Sequence, residues 1–277
     1  MLLSLSALAA EPPRGKKFWL DLKDAKFTLP AGTKRADVLK DAIALLDNED
    51  PVLRDEVGYG LALQWVYKEQ ALSAEEQLAF TRALVTRLGE IKKPVLGRSF
   101  AALSLSMVAG AEVKQPKLDA DTWRDIVRAA CVELEVESDL RGYDAKLGWI
   151  HATAHTADLL KFLARDSRLV PAQQAAIVYA IGKRLERGDV FAWGEDERLA
   201  AVVRSLALRK DVDVKAFEPW VIGLGVRWKK LWENPKLDAA EFARLNSTKQ
   251  VLRAVLVTLP PENPVMKRLE TVLGEMM

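Results

Sequence analysis

Two histidines and an aspartate lie close together in the segment GWIHATAHTADLL, residues 148–160. On a helix of about 100° per residue, His151, His155 and Asp158 fall on one face. Two imidazoles four residues apart suit a divalent metal such as zinc, with the Asp158 carboxylate as a third ligand. The same side chains suit a metal-free acid–base or binding site, because histidine titrates near neutral pH. The third interpretation is structural, with histidines that hydrogen-bond across packed helices.

Other candidate residues come from segments that begin neighbouring predicted helices. If alternate helices share a layer, those that begin near residues 51, 97, 145 and 194 lie side by side, with their first turns at one edge. The candidate general bases at this edge are Glu56, Asp196 and Glu197. The candidate ligand-binding residues are Asp55, Arg98, Arg141, Tyr143, Asp144, His151, His155 and Asp158. We also expect Asp144 to cap the N-terminus of the histidine helix.

Apolar residues recur at helical spacing from residue 36 to the C-terminus, with turn-forming residues between the periodic segments. The predicted helices cover residues 36–47, 51–70, 73–89, 97–110, 119–136, 145–165, 171–187, 194–209, 214–232, 237–258 and 264–276. Strand signals are nearly absent from this pattern. The spacing therefore predicts an all-α protein.

One internal offset suggests that the helices form a repeat. A shift of 97 residues aligns residues 72–88 with residues 169–185 and also pairs Gly97 with Gly194. The implied hairpins of about 40 to 50 residues are typical of HEAT and armadillo repeats. We therefore predict a right-handed α-α superhelix, a HEAT-like solenoid of antiparallel helix hairpins, in one domain over residues 36–277.

The charge balance argues against a nucleic-acid partner. The 277 residues include 41 Lys and Arg against 39 Asp and Glu, a formal charge of +2. Cys131 is the only cysteine, so it forms no internal disulfide, and its place in a helical pattern predicts a buried residue.

The N-terminus resembles the end of an export signal. MLLSLSALAA, residues 1–10, is apolar and ends in small residues, so we interpret it as the remnant of a signal peptide for a periplasmic or secreted protein. Without such a signal the protein would be cytoplasmic. We expect residues 11–35 to form an irregular lead-in, and no later segment has the ~20 apolar residues of a transmembrane helix.

A tryptophan stripe offers a second candidate surface. Trp220, Trp228 and Trp232 share one face of a predicted helix beside Lys229 and Lys230. Such a stripe suits a membrane surface or a partner, although large aromatic residues more often pack between repeats.

Four segments carry a resemblance to a known family: RDEVGYG (54–60), RSFAALSL (98–105), RGYDAKLGWIHATAHTADLL (141–160) and GEDERLA (194–200). With these motifs the chain resembles the bacterial domain-of-unknown-function family numbered 2785. The resemblance implies an all-helical protein in which the four segments act together. It implies no established activity.

Three functions follow from these observations. The first is an exported helical-repeat protein that binds an unknown small molecule or peptide at a polar concave site around HATAHTAD. The second is a metal-dependent hydrolase in which His151, His155 and Asp158 hold the ion and a nearby carboxylate activates water. The third is a structural scaffold with recognition on the Trp220–Trp232 surface.

Overall fold

The computed structural model describes residues 12–187 and 189–276, and most of this part of the chain is helical. The α-helices are α1 (Gly15–Asp24), α2 (Arg35–Ala42), α3 (Ala74–Leu88), α4 (Val95–Lys114), α5 (Ala120–Val136), α6 (Ala152–Arg165), α7 (Pro171–Glu186), α8 (Glu195–Ala207), α9 (Glu218–Glu233), α10 (Ala239–Thr258) and α11 (Pro264–Met276). Short 3₁₀ helices cover Ile43–Asp47 and Val214–Phe217, and strands β1 (Tyr143–Asp144) and β2 (Gly148–Trp149) form a hairpin. The predicted helical class is confirmed.

The helices pack in two rows. In the first row the segment 52–68 packs on α4, α4 on α6, α6 on α8, and α8 on α10. In the second row α3 packs on α5, α5 on α7, α7 on α9, and α9 on α11. The prediction that the helices beginning near 51, 97, 145 and 194 lie side by side is therefore confirmed. Their shared layer brings distant segments together.

The 97-residue offset matches equivalent buried side chains. Gln77 and Gln174 are both buried, and each donates to a carboxylate, that of Glu112 in the last turn of α4 and that of Asp211 in the loop after α8. The distances are 2.6 Å from Gln77 Nε2 to Glu112 Oε1 and 2.9 Å from Gln174 Nε2 to Asp211 Oδ2. Arg87 and Arg184, another aligned pair, are also buried. The two aligned segments therefore use similar polar contacts.

Local sequence signals account for several helix starts. Ser73 and Glu76 form a reciprocal capping box at α3, and Asp119 accepts a hydrogen bond from Thr122 N at the start of α5. Cys131 is buried as predicted, and burial raises the pKa of its thiol to about 12.

The region predicted as an irregular lead-in contains a helix. Residues 15–24 form α1, which buries Trp19 and Leu22 against the segment that follows residue 51. The Trp19 indole donates to the Pro13 carbonyl at 2.6 Å. The prediction of an irregular 11–35 was wrong for this part, because tertiary burial stabilises a helix that its sequence pattern does not reveal.

The segment predicted as a helix over 51–70 is wound more widely than an α-helix. Val52–Tyr59 and Ala62–Lys68 are π-helical, and we call them together the π segment. Its buried side chains recur as adjacent pairs every four residues, Leu53 with Arg54 through to Trp65 with Val66. This spacing is close to that of an α-helix, so the sequence pattern does not separate the two windings.

The remaining correction concerns the start of the histidine helix, which was predicted at residue 145. Residues 143–149 form the hairpin instead, and α6 begins at Ala152.

The residues predicted as a signal remnant, 1–10, lie outside the described part of the chain. Within the described part, no helix is long and apolar enough to cross a membrane. The single domain over 36–277 stays a prediction.

Replacing Gly97 by alanine should destabilise the fold. A Cβ at this position would overlap the guanidinium of Arg87 and the carboxylate of Asp47, which are paired beside α4. Arg87 is buried and also contacts Glu90 at 2.6 Å, so it has little room to move. We expect Gly97→Ala to lower the free energy of unfolding by about 2 kcal/mol in urea denaturation.

Gly223→Ala is the matched control, because a Cβ there meets nothing within 4 Å. This helical glycine should tolerate alanine or gain up to about 1 kcal/mol of stability. Equal effects of the two substitutions would show that Gly97 is not needed for the close approach of Arg87.

Candidate functional site

The hairpin β1–β2 places an aromatic pair at the surface. Tyr143 pairs with Trp149 across the strands, and their rings meet edge to face at 5.3 Å between centroids. Asp144 Oδ1 accepts hydrogen bonds from the Lys146 and Leu147 amides at 2.8 and 2.9 Å. Gly148 follows with a φ of +72°. The three-residue turn is thus closed by an aspartate and by a left-handed glycine.

Arg54 attaches this hairpin to the π segment. Its side chain is fully buried, and Nη2 donates to the carbonyls of Leu147 at 2.6 Å and Trp149 at 3.3 Å. Nη1 donates to the Asn48 carbonyl at 3.1 Å. The guanidinium also lies over the Phe100 ring, 4.6 Å from its centroid. One side chain therefore joins the hairpin, the π segment and α4.

His151 lies between the hairpin and α6. Its φ of 49° is in the left-handed region, and its amide donates to the Arg141 carbonyl at 3.1 Å. The ring stacks on Trp149 at 4.9 Å between centroids, with 22° between the planes. Nε2 lies 2.8 Å from the Trp193 carbonyl oxygen, so this nitrogen carries the proton and donates. A strained backbone, the stack on Trp149 and the hydrogen bond to Trp193 fix this side chain in one orientation.

Trp193 completes an aromatic cluster from a second loop. Its ring lies directly on the backbone of Gly142, where any Cβ would overlap it. It meets Trp149 edge to face at 6.2 Å between centroids. Its amide donates to Glu195 Oε2 at 2.8 Å, and Glu195 Oε1 is 3.9 Å from His151 Nε2. Buried Glu195 thus supports both Trp193 and His151.

His155 is held inside the helix row. Ser99 donates its hydroxyl hydrogen to the Ile150 carbonyl, so it accepts from His155 Nδ1 at 2.8 Å. Phe100 meets the imidazole edge to face at 5.1 Å, and the His151 ring is 5.8 Å away. Burial, together with the charges of His151 and Arg198, lowers the pKa of His155 to about 3. His155 is therefore neutral across the physiological range.

The predicted metal triad is not assembled. Asp158 is paired with Arg198 through Oδ2 and with Lys161 through Oδ1, the latter at 2.6 Å. His155 is directed at Ser99, and His151 at Trp193. In the described ranges, no three His, Cys, Asp or Glu side chains are grouped so that they could hold a metal ion. The Asp158 carboxylate meets two cations and His151 lies outside the helix, so the three side chains do not converge in the described structure as a zinc-type site requires.

The other predicted acidic residues are divided between separate contacts. Asp55 lies 2.7 Å from Arg54 Nε, and burial raises the pKa of its carboxyl group to about 6. Glu56 instead pairs with Lys23 at 2.9 Å on α1, away from the histidines. Asp196 and Glu197 belong to the first turn of α8, where acidic side chains favour the helix dipole. Asp55 and Glu56 are thus occupied in ion pairs, and the general-base role of Glu56, Asp196 and Glu197 stays a prediction.

The predicted ligand-binding arginines mainly support the structure. Arg98 is buried between α4 and α5, where it pairs with Glu133 at 3.2 Å and with Glu137. Arg141 is exposed and pairs with Asp139 at 2.6 Å. Asp144 caps the hairpin turn and does not cap the helix, so that prediction was also wrong.

Comparison with known proteins gives a family. A model of the family described as protein of unknown function (DUF2785) matches residues 84–257, more than half of the chain. The chain belongs to the DUF2785 family. In the comparisons, no curated protein and no solved structure matches it. The part matched to DUF2785 includes the hairpin, His151 and Trp193, whereas the Arg54 motif lies before it.

Two residues of the site in this DUF2785 protein, Trp149 and Trp193, were not expected from the sequence, whereas Arg54 and Glu195 belong to the RDEVGYG and GEDERLA segments that the helix layer was expected to bring near His151. A local signal was present for Trp149. The spacing Tyr143, Asp144, Gly148, Trp149 is that of a short hairpin with an aromatic cross-strand pair. Trp193 carries no comparable local signal, because it meets His151 only through the packing of α8 on α6.

The tryptophan stripe of α9 divides into buried and exposed parts. Trp220 is buried in the core, as expected for packing between helices. Trp228 and Trp232 instead cluster with Phe242 of α10, at 5.9 and 6.3 Å between ring centroids. The single tryptophan face predicted from the sequence is therefore not a continuous surface.

Arg54→Met should loosen the hairpin of the DUF2785 protein. The substitution removes the donors to the backbone carbonyls of Asn48, Leu147 and Trp149 and leaves Asp55 without its arginine partner. We expect a loss of about 3 kcal/mol in the free energy of unfolding. Hydrogen exchange of the Ile150 amide, which donates to the Gly142 carbonyl at 2.8 Å, should become faster.

Arg141→Met removes an arginine from the same region and is the control. Its exposed ion pair with Asp139 should contribute no more than about 1 kcal/mol. A loss as large as that of Arg54→Met would contradict the role assigned to Arg54.

His155 should make the fold sensitive to mild acid. Its pKa is about 3 in the folded protein and 6.5 in a model compound, so the unfolded chain binds the proton more readily. The stability from neutral His155 is full above pH 6.5 and is lost as the pH falls below that value. We expect a loss of about 2 kcal/mol between pH 7.5 and pH 5 from this residue.

Urea denaturation across this pH range, compared with a His155→Gln variant, measures this contribution. The carbon-13 shift of the His155 ring should show no protonation down to about pH 4. A native titration midpoint near 6.5 would contradict burial of the neutral ring.

Proposed function

We propose that this protein binds peptide segments through the aromatic cluster of Tyr143, Trp149 and Trp193. The observation that carries the proposal is the arrangement of these three rings. They are 49%, 44% and 45% exposed, Trp149 contacts both of the other rings, and the three come from the hairpin and from the loop before α8. Large aromatic residues that stay exposed together mark interaction surfaces more often than isolated apolar residues do.

The cluster is preorganised by buried polar contacts. The His151 ring stacks on the Trp149 ring. Glu195 accepts a hydrogen bond from the Trp193 amide, and the Trp193 ring packs on the backbone of Gly142. Arg54 holds the backbone of Trp149. A surface whose rings are already ordered loses little side-chain entropy on binding.

The geometry favours an extended peptide. The ring planes of Tyr143 and Trp193 are inclined at 72° and 87° to the plane of Trp149. The faces of the three rings therefore point in different directions around the aromatic cluster. Aromatic-lined surfaces of this kind recognise extended, proline-containing segments. The nearby charges are of both signs, with Arg141 and Lys146 opposed by Asp139 and Asp144. The proposed segment is therefore apolar or rich in proline, without a strong net charge.

We further propose that the two helix rows form a HEAT-like right-handed superhelix and that the row containing α4, α6 and α8 is its concave layer. The alternate packing of the helices and the equivalent contacts of Gln77 and Gln174 support a repeat. In this arrangement the aromatic cluster lies where α6 and α8 begin. Export remains a separate proposal that depends on residues 1–10 alone.

Selection from a random peptide library tests this function without a known partner. The intact protein should enrich peptides with proline and apolar side chains. For these peptides we expect the Trp149→Ala, Trp193→Ala double variant to bind at least tenfold more weakly in a fluorescence titration. The reason is that both rings leave the surface while the buried supports remain.

Trp232→Ala is the matched control, since Trp232 is 58% exposed on α9 and lies in another aromatic group. It should bind the selected peptides as the parent does. Failure to enrich any sequence, or equal binding by the double variant, would reject the aromatic cluster as a peptide site. The buried histidines would then serve only to join the helices.

A further inference from the structure

A basic groove lies at the opposite ends of α6 and α8. Its volume is about 450 Å³, and four cationic side chains line it with a single carboxylate. These charged residues are Arg165, Arg204, Arg209, Lys210 and Asp211. In a chain whose formal charge is only +2, this is a local excess of positive charge.

The Asp211 carboxylate in the groove is already paired with an arginine of the protein. Arg209 contacts Asp211 at 2.9 Å, and this contact lowers the pKa of the Asp211 carboxyl group from its usual value. Arg209 also donates to the carbonyls of Ala164, Asp166 and Leu169 at 2.7 to 3.0 Å. The charge and donors of Arg209 are therefore used within the protein.

The other three cations have no carboxylate partner among residues 12–187 and 189–276. Arg165 donates from Nε to Ser205 Oγ at 3.2 Å, and Arg204 donates from Nε to the Thr258 carbonyl at 3.1 Å. Lys210 is exposed at the rim. These contacts orient the two guanidinium groups through Nε and leave their Nη groups for another acceptor.

The stabilisation of helix C-termini by cations explains only part of this cluster of positive charges. Cationic side chains are stabilising near helix C-termini, and Arg209 serves that purpose for α6. The Nη groups of Arg165 and Arg204 make no such contact in the described chain. Guanidinium groups with free parallel donors match the geometry of phosphate oxygens, and a lysine adds a point charge.

We propose that this groove binds the phosphate group of a small phosphorylated molecule. Arg165 and Arg204 supply the guanidinium donors, Lys210 the additional charge, and Ser167 a hydroxyl at the groove wall. Leu208, which is exposed in the same groove, offers apolar contact to the organic part of the ligand. This site is separate from the aromatic cluster and does not depend on the peptide function.

Calorimetric titration with pyrophosphate and with glycerol 3-phosphate, at constant ionic strength, tests the proposal. We expect saturable binding to the parent protein. The Arg165→Ala, Arg204→Ala double variant should bind at least tenfold more weakly, and the corresponding double lysine variant should fall between the two. Circular dichroism confirms that the variants are folded, since neither guanidinium has an ion pair to lose.

Arg124→Ala, Arg128→Ala is the control for net charge. Both control residues are exposed on α5 and pair with aspartates of the same helix. The control should bind the anions as the parent does, and so should the Trp149→Ala, Trp193→Ala variant. Absence of saturable binding, or equal weakening in the α5 control, would overturn the proposal.

A final arm identifies the source of the phosphate. Binding of glycerol 3-phosphate in solution supports a soluble ligand. If only vesicles that contain phosphatidic acid bind, and the groove variant loses that binding, the phosphate belongs to a lipid headgroup. Vesicle binding that the groove variant retains would reject the groove as its site.

Discussion

Buried guanidinium groups that serve backbone carbonyls hold this structure together. A helix end leaves carbonyl oxygens with no partner inside the helix, and packed rows of short helices bury many such ends. An arginine can satisfy several carbonyls at once, because its planar group has five donors. The arginines that do so from buried or largely buried positions are Arg54, Arg98, Arg184 and Arg209. Each of them connects elements that are far apart in the sequence.

A continuous series of contacts connects one of these buried arginines, Arg54, with the proposed binding surface. Arg54 lies on Phe100, Phe100 meets the edge of His155, and His155 is hydrogen-bonded to Ser99. Ser99 in turn holds the carbonyl of Ile150, next to His151 and the hairpin. Buried polar groups of this kind mainly favour one arrangement of the side chains over others. The reason is that any arrangement that leaves part of the hydrogen-bond network unpaired is costly. The exposed rings are therefore ordered by residues that no ligand needs to touch.

The sequence predicts the helix rows better than it predicts the site. Periodic apolar residues locate α4, α6 and α8, and the 97-residue offset aligns the buried Gln77 and Gln174 before any contact is known. The placement of His151 on a helical face failed, because the hairpin with its three-residue turn between Asp144 and Gly148 interrupts the helical pattern before α6 begins at Ala152. Glu195 meets His151 because α8 packs on α6, as the layer arrangement predicts, whereas the contact of Trp193 with His151 has no signal in the sequence.

The aromatic cluster and the basic groove lie at opposite ends of the same two helices, α6 and α8. α6 begins beside the aromatic cluster and ends at the basic groove, and its 14 residues span about 21 Å. α8 runs between the same two ends, and the buried faces of both helices belong to one hydrophobic core. Groups this far apart with no shared partners act nearly independently unless the helices move as units. Any coupling between a peptide at one end and a phosphate at the other would therefore have to come from a shift of α6 against α8, where Asp158 of α6 meets Arg198 of α8.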